Sequence, residues 1–130
     1  MALTYHIHPE RSLVVVTRTH RVGSEEWEAF LDQQIQDPAL EPGFGLLDDR
    51  RAVSDTPTRR DVERAARWIQ DHADKLGPMR WAIVVAASSP AAFGMARVGE
   101  ALTSRTPVTV RAFIDYDTAF AWAQQKSDEV

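Results

Sequence analysis

The sequence predicts one α/β domain built on a mainly parallel five-stranded sheet, with an antiparallel first strand and helices largely on one face. Three observations predict this class. Short apolar or β-branched runs alternate with amphipathic helical stretches in the order ββαβαβαβα, which favours parallel pairing through right-handed crossovers. The length of 130 residues suits one ordinary domain. A composition of 44% hydrophobic and 26% charged residues is close to the globular average.

The opening of the chain predicts a β-hairpin. Leu3–His8 is predicted to be a short strand, residues 9–12 (PERS) have turn composition, and residues 13–19 (LVVVTRT) form a β-branched strand. Two such runs joined by a short turn are expected to pair antiparallel.

An amphipathic helix is predicted next. Ser24 is a natural N-cap, and Glu25 and Glu26 place negative charge in the first turn, where the helix dipole favours it. Pro38 ends the helix. Its buried face comprises Trp27, Phe30, Leu31, Gln34 and Ile35. Gln34 is the only polar member of that face.

The middle of the chain predicts a strand, a polar loop and a second helix. Residues 44–47 are the apolar strand. Thr58 can cap the helix, with Asp61 at its third position. The pair Gly77-Pro78 is a strong stop signal.

A fourth strand and a third helix follow. Residues 80–87 form the most continuously apolar run, which favours a central position in the sheet. Ser89 is expected to cap the third helix, with Pro90 at the first helical position, where its missing N–H costs nothing.

The last strand, residues 108–114, alternates between two faces and is predicted to lie at a sheet edge. One of its faces carries Arg111 and Phe113, and we expect the helices to leave that face uncovered. Asp115 or Asp117 caps a final helix.

Composition and termini restrict the class of protein. We expect one domain over residues 1–125 and a frayed tail over residues 126–130. The net charge is −4, and no segment carries a run of charges of one sign. The sequence therefore shows no basic surface for nucleic acid or for an anionic membrane. The absence of cysteine excludes disulfides, thiolate catalysis and cysteine-ligated zinc, and fits a reducing compartment. Residues 1–12 lack the pattern of a secretory signal. The apolar run 81–87 is far below the roughly 20 residues that span a bilayer, so we expect a cytoplasmic protein.

Taken together, the hairpin, the three β–α turns and the Asp-containing strand end resemble the SpoIIAA-like, or STAS-type, family. An FGMAR stretch at residues 93–97 and an acidic turn leading to AFAWA at residues 119–123 add to the likeness. The resemblance runs from Tyr5 to about Trp122 and is to the small stand-alone bacterial members, which are grouped with CRAL-TRIO-like lipid-transfer folds. It implies a mainly parallel sheet with helices largely on one face.

The resemblance also raises two functional expectations. Anti-sigma-factor antagonists of this fold are switched by phosphorylation of a serine, usually preceded by Asp, at the start of the helix after the third strand. Residues 48–60 read DDRRAVSDTPTRR, without an Asp-Ser pair directly after the strand. Ser54, Thr56 and Thr58 are the nearby hydroxyls, and the departure argues against a phospho-switch. CRAL-TRIO relatives enclose a lipid, but this chain lacks the length used for their gate.

Ligands of open α/β sheets bind beyond the carboxyl ends of the parallel strands. The residues predicted at this rim as ligand contacts are Asp48, Arg50, Ser88, Ser89 and Arg97. Asp48 and its neighbour Asp49 should point to opposite faces, so a loop ion pair is favoured over a paired acid and base. A helix start at Ser88-Ser89 can bind an anion, although a plain capping role is favoured for Ser89.

Two catalytic or metal-binding patterns are weaker. His6 and His8 share a strand face and could supply two metal ligands, but a site needs a third, so ordinary histidines are favoured. A triad could be drawn from Ser89, His72 and Asp115, yet Gly-x-Ser-x-Gly is absent. We therefore expect neither an enzyme, nor a metal site, nor a cofactor.

Two functions from different classes remain. The first is a non-enzymatic regulatory or interaction module that binds a protein partner or forms a homodimer. The alternative is a binding protein for a small anionic or apolar, lipid-like molecule at the strand-end rim.

Overall fold

The computed structural model describes residues 2–125. The helices and strands in chain order are β1 (Leu3–His8), a 3-10 helix (Pro9–Arg11), β2 (Leu13–Arg18), α1 (Ser24–Ile35), β3 (Gly45–Asp49), α2 (Arg59–Leu76), β4 (Met79–Val84), α3 (Pro90–Leu102), β5 (Val108–Phe113) and α4 (Tyr116–Ala123). The predicted order of elements is confirmed. The tail predicted over residues 126–130 lies outside the described residues.

The sheet has the strand order β1-β2-β3-β4-β5. β1 pairs antiparallel with β2, and the other neighbours are parallel. The predicted sheet and the edge position of β5 are therefore confirmed. The strand at the centre is β3, whereas β4, expected there, is an inner strand between β3 and β5.

The two faces of the sheet are covered unequally. On one face, Trp27 and Leu31 of α1 and Trp68 and Ile69 of α2 pack against the strands. α3 lies beside α2 and against β5 on this face. Because successive strand residues point to opposite faces, the other set of buried strand side chains packs against α4.

The prediction of an uncovered face around Arg111 and Phe113 is wrong for Phe113, whereas Arg111 is exposed. Phe113 is buried, and its ring lies 5.4 Å from that of Trp122 on α4. The guanidinium of Arg111 lies over both rings. The physical reason is the turn at Asp115, whose carboxylate accepts a hydrogen bond from the Thr118 N–H and starts α4 at once, so that α4 folds back over the sheet.

Local capping signals place most helix starts. Thr58 and Asp61 form a reciprocal capping box at α2, and Ser89 caps α3, both as predicted. The prediction for α1 is wrong by one residue, because Gly23 is its N-cap and Ser24 is already helical. The Ser24 hydroxyl instead donates a hydrogen bond to Asp61 at 3.0 Å, which ties the start of α1 to the start of α2.

A close backbone approach fixes α4 on the sheet. A Cβ added to Gly45 at the start of β3 would lie 1.8 Å from the carbonyl oxygen of Ala123. The last turn of α4 therefore sits directly on this glycine. No helix within residues 2–125 has both the length and the apolar character needed to cross a membrane.

We expect Gly45→Ala to lower the free energy of unfolding by about 3 kcal/mol, because the new methyl group collides with backbone rather than with a movable side chain. Gly94→Ala is the matched control, since nothing lies within 4 Å of its added Cβ in α3. It should stabilise the protein by roughly 0.5 to 1 kcal/mol through helix propensity. Urea unfolding of both variants measures the difference, and equal stabilities would contradict the packing of α4 on Gly45.

Candidate functional site

A cavity of about 90 Å³ lies at the carboxyl ends of the parallel strands, between the sheet and helices α2 and α3. We call it the rim cavity. Its apolar walls are formed by Val62, Ala65, Ile69, Ile83, Met95, Ala96 and Val110. Its polar end is formed by Arg18, Arg21, Ser24, Asp48, Arg50 and Asp61. The space is large enough for several waters or for a compact organic molecule.

The polar end is built on an ion pair between neighbouring strands. Asp48 of β3 lies opposite Val16 of β2, so Arg18, two residues further along β2, has its side chain on the same face. Nε and Nη2 of Arg18 donate hydrogen bonds of 3.0 and 2.8 Å to the two carboxylate oxygens of Asp48. The side chains are 11% and 2% exposed, so the charges neutralise each other away from water.

A ring contact holds Arg18 from its other side. Its guanidinium carbon lies 3.5 Å from the centre of a Trp27 ring, in cation–π geometry. Trp27 belongs to the buried face of α1. Arg18 is therefore fixed between Asp48 and the core.

The guanidinium of Arg50, unlike that of Arg18, is unpaired within residues 2–125. Arg50 follows β3 directly, where its backbone N–H donates to the carbonyl of Val84. Its guanidinium has no hydrogen bond or ion pair with any residue in the range 2–125. Burial, and secondly the nearby charge of Arg18, lower the pKa of Arg50 to about 10, against the opposing effects of Asp48 and Asp61. At neutral pH the cavity thus contains a protonated guanidinium that is partly buried.

Asp61 organises the mouth of the cavity. Its carboxylate accepts hydrogen bonds from the Thr58 N–H, from the Ser24 hydroxyl and, at 3.4 Å, from Arg21. The Thr58 N–H is the largest cause that lowers the pKa of Asp61. These contacts join the connection before α1 to the first turn of α2, so the mouth is tied together by ionised Asp61.

The structure separates the residues predicted for the rim. Asp48 and Arg50 line the cavity, whereas Ser88, Ser89 and Arg97 do not. Ser88 is exposed in a turn, and Ser89 accepts a hydrogen bond from the Ala92 N–H as a helix cap. Arg97 pairs with Glu100 one turn along α3. A ligand role for these residues stays a prediction.

Asp49 follows the prediction made for adjacent strand residues. Its carboxylate accepts two hydrogen bonds of 2.9 Å from Arg51, on the face opposite to Asp48. Arg51 also lies over the ring of Tyr116 at the start of α4. The side chains of the two adjacent aspartates therefore form ion pairs on opposite faces of the sheet.

The hydroxyls considered for phosphorylation lie outside the cavity lining. Ser54 and Thr56 are exposed in the connection before α2. Thr58 is exposed too, but its hydroxyl oxygen accepts the Asp61 N–H in the capping box. Modification of any of them stays a prediction.

The histidine pair considered for metal binding does not form part of a metal site within residues 2–125. His6 and His8 have their rings 4.5 Å apart, on one face as predicted. Within residues 2–125, no group of three or more His, Cys, Asp or Glu side chains is placed to hold a metal ion.

The three residues of the hypothetical triad are engaged separately. His72 stacks on Trp68, and its Nδ1 lies 2.8 Å from the carbonyl of that residue. Ser89 and Asp115 act as caps of α3 and α4. Each side chain therefore has a local structural role.

Sequence reasoning missed Arg18 and Trp27. A signal for Arg18 was present, since it continues the buried alternation of Val14 and Val16 along β2. A charged residue at the end of such a row, beside a strand with Asp48 near its end, indicates a cross-strand ion pair.

The comparisons with known proteins bear on the fold. No protein-family model matches the chain, and no curated protein matches it. A solved structure that does match is an uncharacterized protein of the DUF3478 family with a SpoIIAA-like fold, from Shewanella loihica PV-4. The TM-score is 0.61 at 16% identity, over 94% of this chain and 92% of the other. At this identity the likeness shows the fold alone, which is SpoIIAA-like as the resemblance implied.

The two aspartates give a matched test of the polar end. Asp48→Asn removes the counter-charge of buried Arg18, and we expect a loss of about 3 kcal/mol in the free energy of unfolding. Asp49→Asn weakens a pair whose arginine is 48% exposed, and its cost should stay below about 1 kcal/mol. Urea unfolding followed by tryptophan fluorescence compares them. Similar losses for the two variants would show that the Arg18–Asp48 pair has no special weight.

Proposed function

We propose that this SpoIIAA-like domain binds a small monoanionic molecule with an apolar body in the rim cavity, with the anionic group on the guanidinium of Arg50. The observation that carries the proposal is the state of Arg50, a partly buried charge in the cavity lining that forms no hydrogen bond or ion pair within residues 2–125. A charge removed from water is costly unless it is paired. An anion entering the cavity supplies the missing partner.

The charges around Arg50 favour a single negative charge on the ligand. Arg18 is matched by Asp48, and Arg21 faces Asp61. Among the cavity residues, Arg50 is then left as the uncompensated charge. A second negative charge on the ligand would meet Asp48 and Asp61, whose fields already reach Arg50. A carboxylate suits the site, because it matches the planar fork of a guanidinium with two hydrogen bonds.

The walls determine the rest of the ligand. Val62 and Ala65 on α2, Met95 on α3 and Val110 on β5 offer apolar contacts and no hydrogen-bonding side chain. The volume of about 90 Å³ favours a single ring or a short branched chain over a long acyl chain. Together with Arg50, these walls describe a compact apolar carboxylate as the class of ligand, and the role as binding rather than catalysis.

The other candidate function, an interaction module that binds a protein partner or a second copy, has less support. The face expected to serve it is covered by α4 around Phe113, which is buried, and Arg111 is left exposed beside it. Ile114 is the large apolar side chain that is exposed within residues 2–125, and it stands alone. A single exposed side chain is ordinary for a protein surface.

Arg50→Met tests the proposal. Titration with benzoate and isovalerate, followed by ¹H–¹⁵N NMR, should shift the resonances of rim-cavity residues in the unaltered protein. We expect the affinity to fall about tenfold or more in the variant, since a charged hydrogen bond is lost. Without ligand the variant should be more stable by about 1 kcal/mol or more, because a desolvated charge has been removed.

The control for Arg50→Met is Arg67→Met, which removes an exposed arginine of α2. It should change neither the benzoate affinity nor the free energy of unfolding. Benzyl alcohol serves as an uncharged probe and should bind the rim cavity weakly. Equal benzoate affinity in Arg50→Met and the unaltered protein would contradict the proposal, and so would a variant that loses stability.

A further inference from the structure

The two edge strands of the sheet, β1 and β5, differ in how their outward backbone groups are satisfied. In a β-strand, the N–H and C=O groups of alternate residues point to opposite neighbours, so half of those on an edge strand point outward. The Val85 N–H donates to the carbonyl of Phe113, which shows that the odd-numbered residues of β5 face β4. The backbone groups of Val108, Val110 and Ala112 therefore point outward.

Side chains occupy much of the outward edge of β5. The hydroxyl oxygen of Thr106 lies 3.2 Å from both the backbone nitrogen and the carbonyl oxygen of Val108. The carboxylate of Glu100 on α3 accepts the N–H of Ala112 at 2.7 Å and brings a negative charge to this edge. Covering and charging an edge are means by which native proteins prevent it from pairing with another chain.

The edge of β1 carries none of these protections in the described part of the chain. The Thr19 N–H donates to the carbonyl of Ala2, which shows that the even-numbered residues here face β2. The backbone groups of Leu3, Tyr5 and Ile7 therefore point outward, and they form no hydrogen bond within residues 2–125. The strand (LTYHIH) contains no Asp, Glu, Lys, Arg or Pro, and its register with β2 is not interrupted by a bulge. It is thus an open template for a further strand.

We infer that β1 pairs antiparallel with β1 of a second copy of this chain, about a two-fold axis at Tyr5, so that the two sheets become one continuous sheet. In this register, Tyr5 lies opposite Tyr5 of the second copy, and Leu3 lies opposite its Ile7. Each of these opposed pairs exchanges both backbone hydrogen bonds. Every outward N–H and C=O group of β1 is then satisfied.

The pattern of β1 favours a second copy over an unrelated strand. The outward residues are spaced evenly about Tyr5, so the strand is complementary to itself under two-fold symmetry, the commonest symmetry of oligomers. Leu3 and Ile7 bring apolar side chains together on the face where both already pack against the core. On the other face, exposed Thr4 lies opposite exposed His6, so no Lys, Arg, Asp or Glu meets its like across the axis.

This surface is separate from the sites discussed above. It is the edge of the sheet rather than the face around Phe113. The residues that line the rim cavity include members of β2, β3, β4 and β5 but none of β1. The inference is therefore independent of ligand binding at Arg50.

A matched pair of double variants tests both the pairing and its register. Thr4→Lys with His6→Lys places like charges opposite each other twice across the two-fold axis, and we expect the dimer dissociation constant to rise about tenfold or more. Thr4→Lys with His6→Glu places opposite charges at the same positions and should dimerise at least as tightly as the unaltered protein. Both positions are exposed, so the monomer fold should be retained. Sedimentation velocity over a wide range of protein concentration measures the dissociation constants.

Amide hydrogen exchange gives a second readout that needs no variant. The N–H groups of Leu3, Tyr5 and Ile7 should exchange more slowly as the concentration of unaltered protein rises, whereas that of Val110 on the β5 edge should not change. Protein that is monomeric at every concentration, with these three amides unprotected, would overturn the inference and leave the edge to a strand of another protein. So would a dimer that forms equally well in both double variants.

Discussion

The buried ion pair between Arg18 and Asp48 is the interaction on which the rest of the site depends. It joins β2 to β3 at the point where both strands end, and it lets two charged groups lie beside the core. Trp27 packs on the same guanidinium, so the pair also holds α1 to the sheet. Asp48 pairs with Arg18, and Asp61 accepts hydrogen bonds from Ser24, Thr58 and Arg21. Within residues 2–125, neither carboxylate of the polar end therefore forms an ion pair with Arg50.

The unequal covering of the sheet explains where ligands can enter. Three helices cover one face, and the spaces between them form a cavity at each end of the strands. On the other face, α4 lies so close to β3 that only glycine fits at position 45. The cavity at the carboxyl ends contains Arg50, a charged group without a hydrogen bond or ion pair within residues 2–125. A polar group withdrawn from water lowers stability, and this cost is typical of positions kept for binding.

The order of elements, the sheet and most helix caps were predictable, because they follow from local patterns such as the Thr58–Asp61 box. Strand alternation also placed Asp48 and Asp49 on opposite faces. The pairing of Asp48 with Arg18 was not predicted. It depends on the register between β2 and β3, and the sequence of one strand does not determine that register. The apolar side chains of the eight-residue helix α4 likewise do not indicate on which face of the sheet the helix packs. Gln34 stood out in the sequence as a polar residue on a buried face, but that its Oε1 atom accepts no hydrogen bond within residues 2–125 appears only when the chain is folded.

Arg18 is held on Asp48, and we propose that Arg50 receives an anion. The ¹H–¹⁵N spectrum of the arginine Nε groups during a benzoate titration distinguishes these two states, with the Arg50 signal assigned from Arg50→Met. We expect the Arg50 signal to move and sharpen as benzoate binds, while the Arg18 signal is protected from solvent exchange throughout and stays in place. An Arg50 signal that does not respond, or an Arg18 signal that moves in its stead, would show that Arg50 is not the anion-binding group.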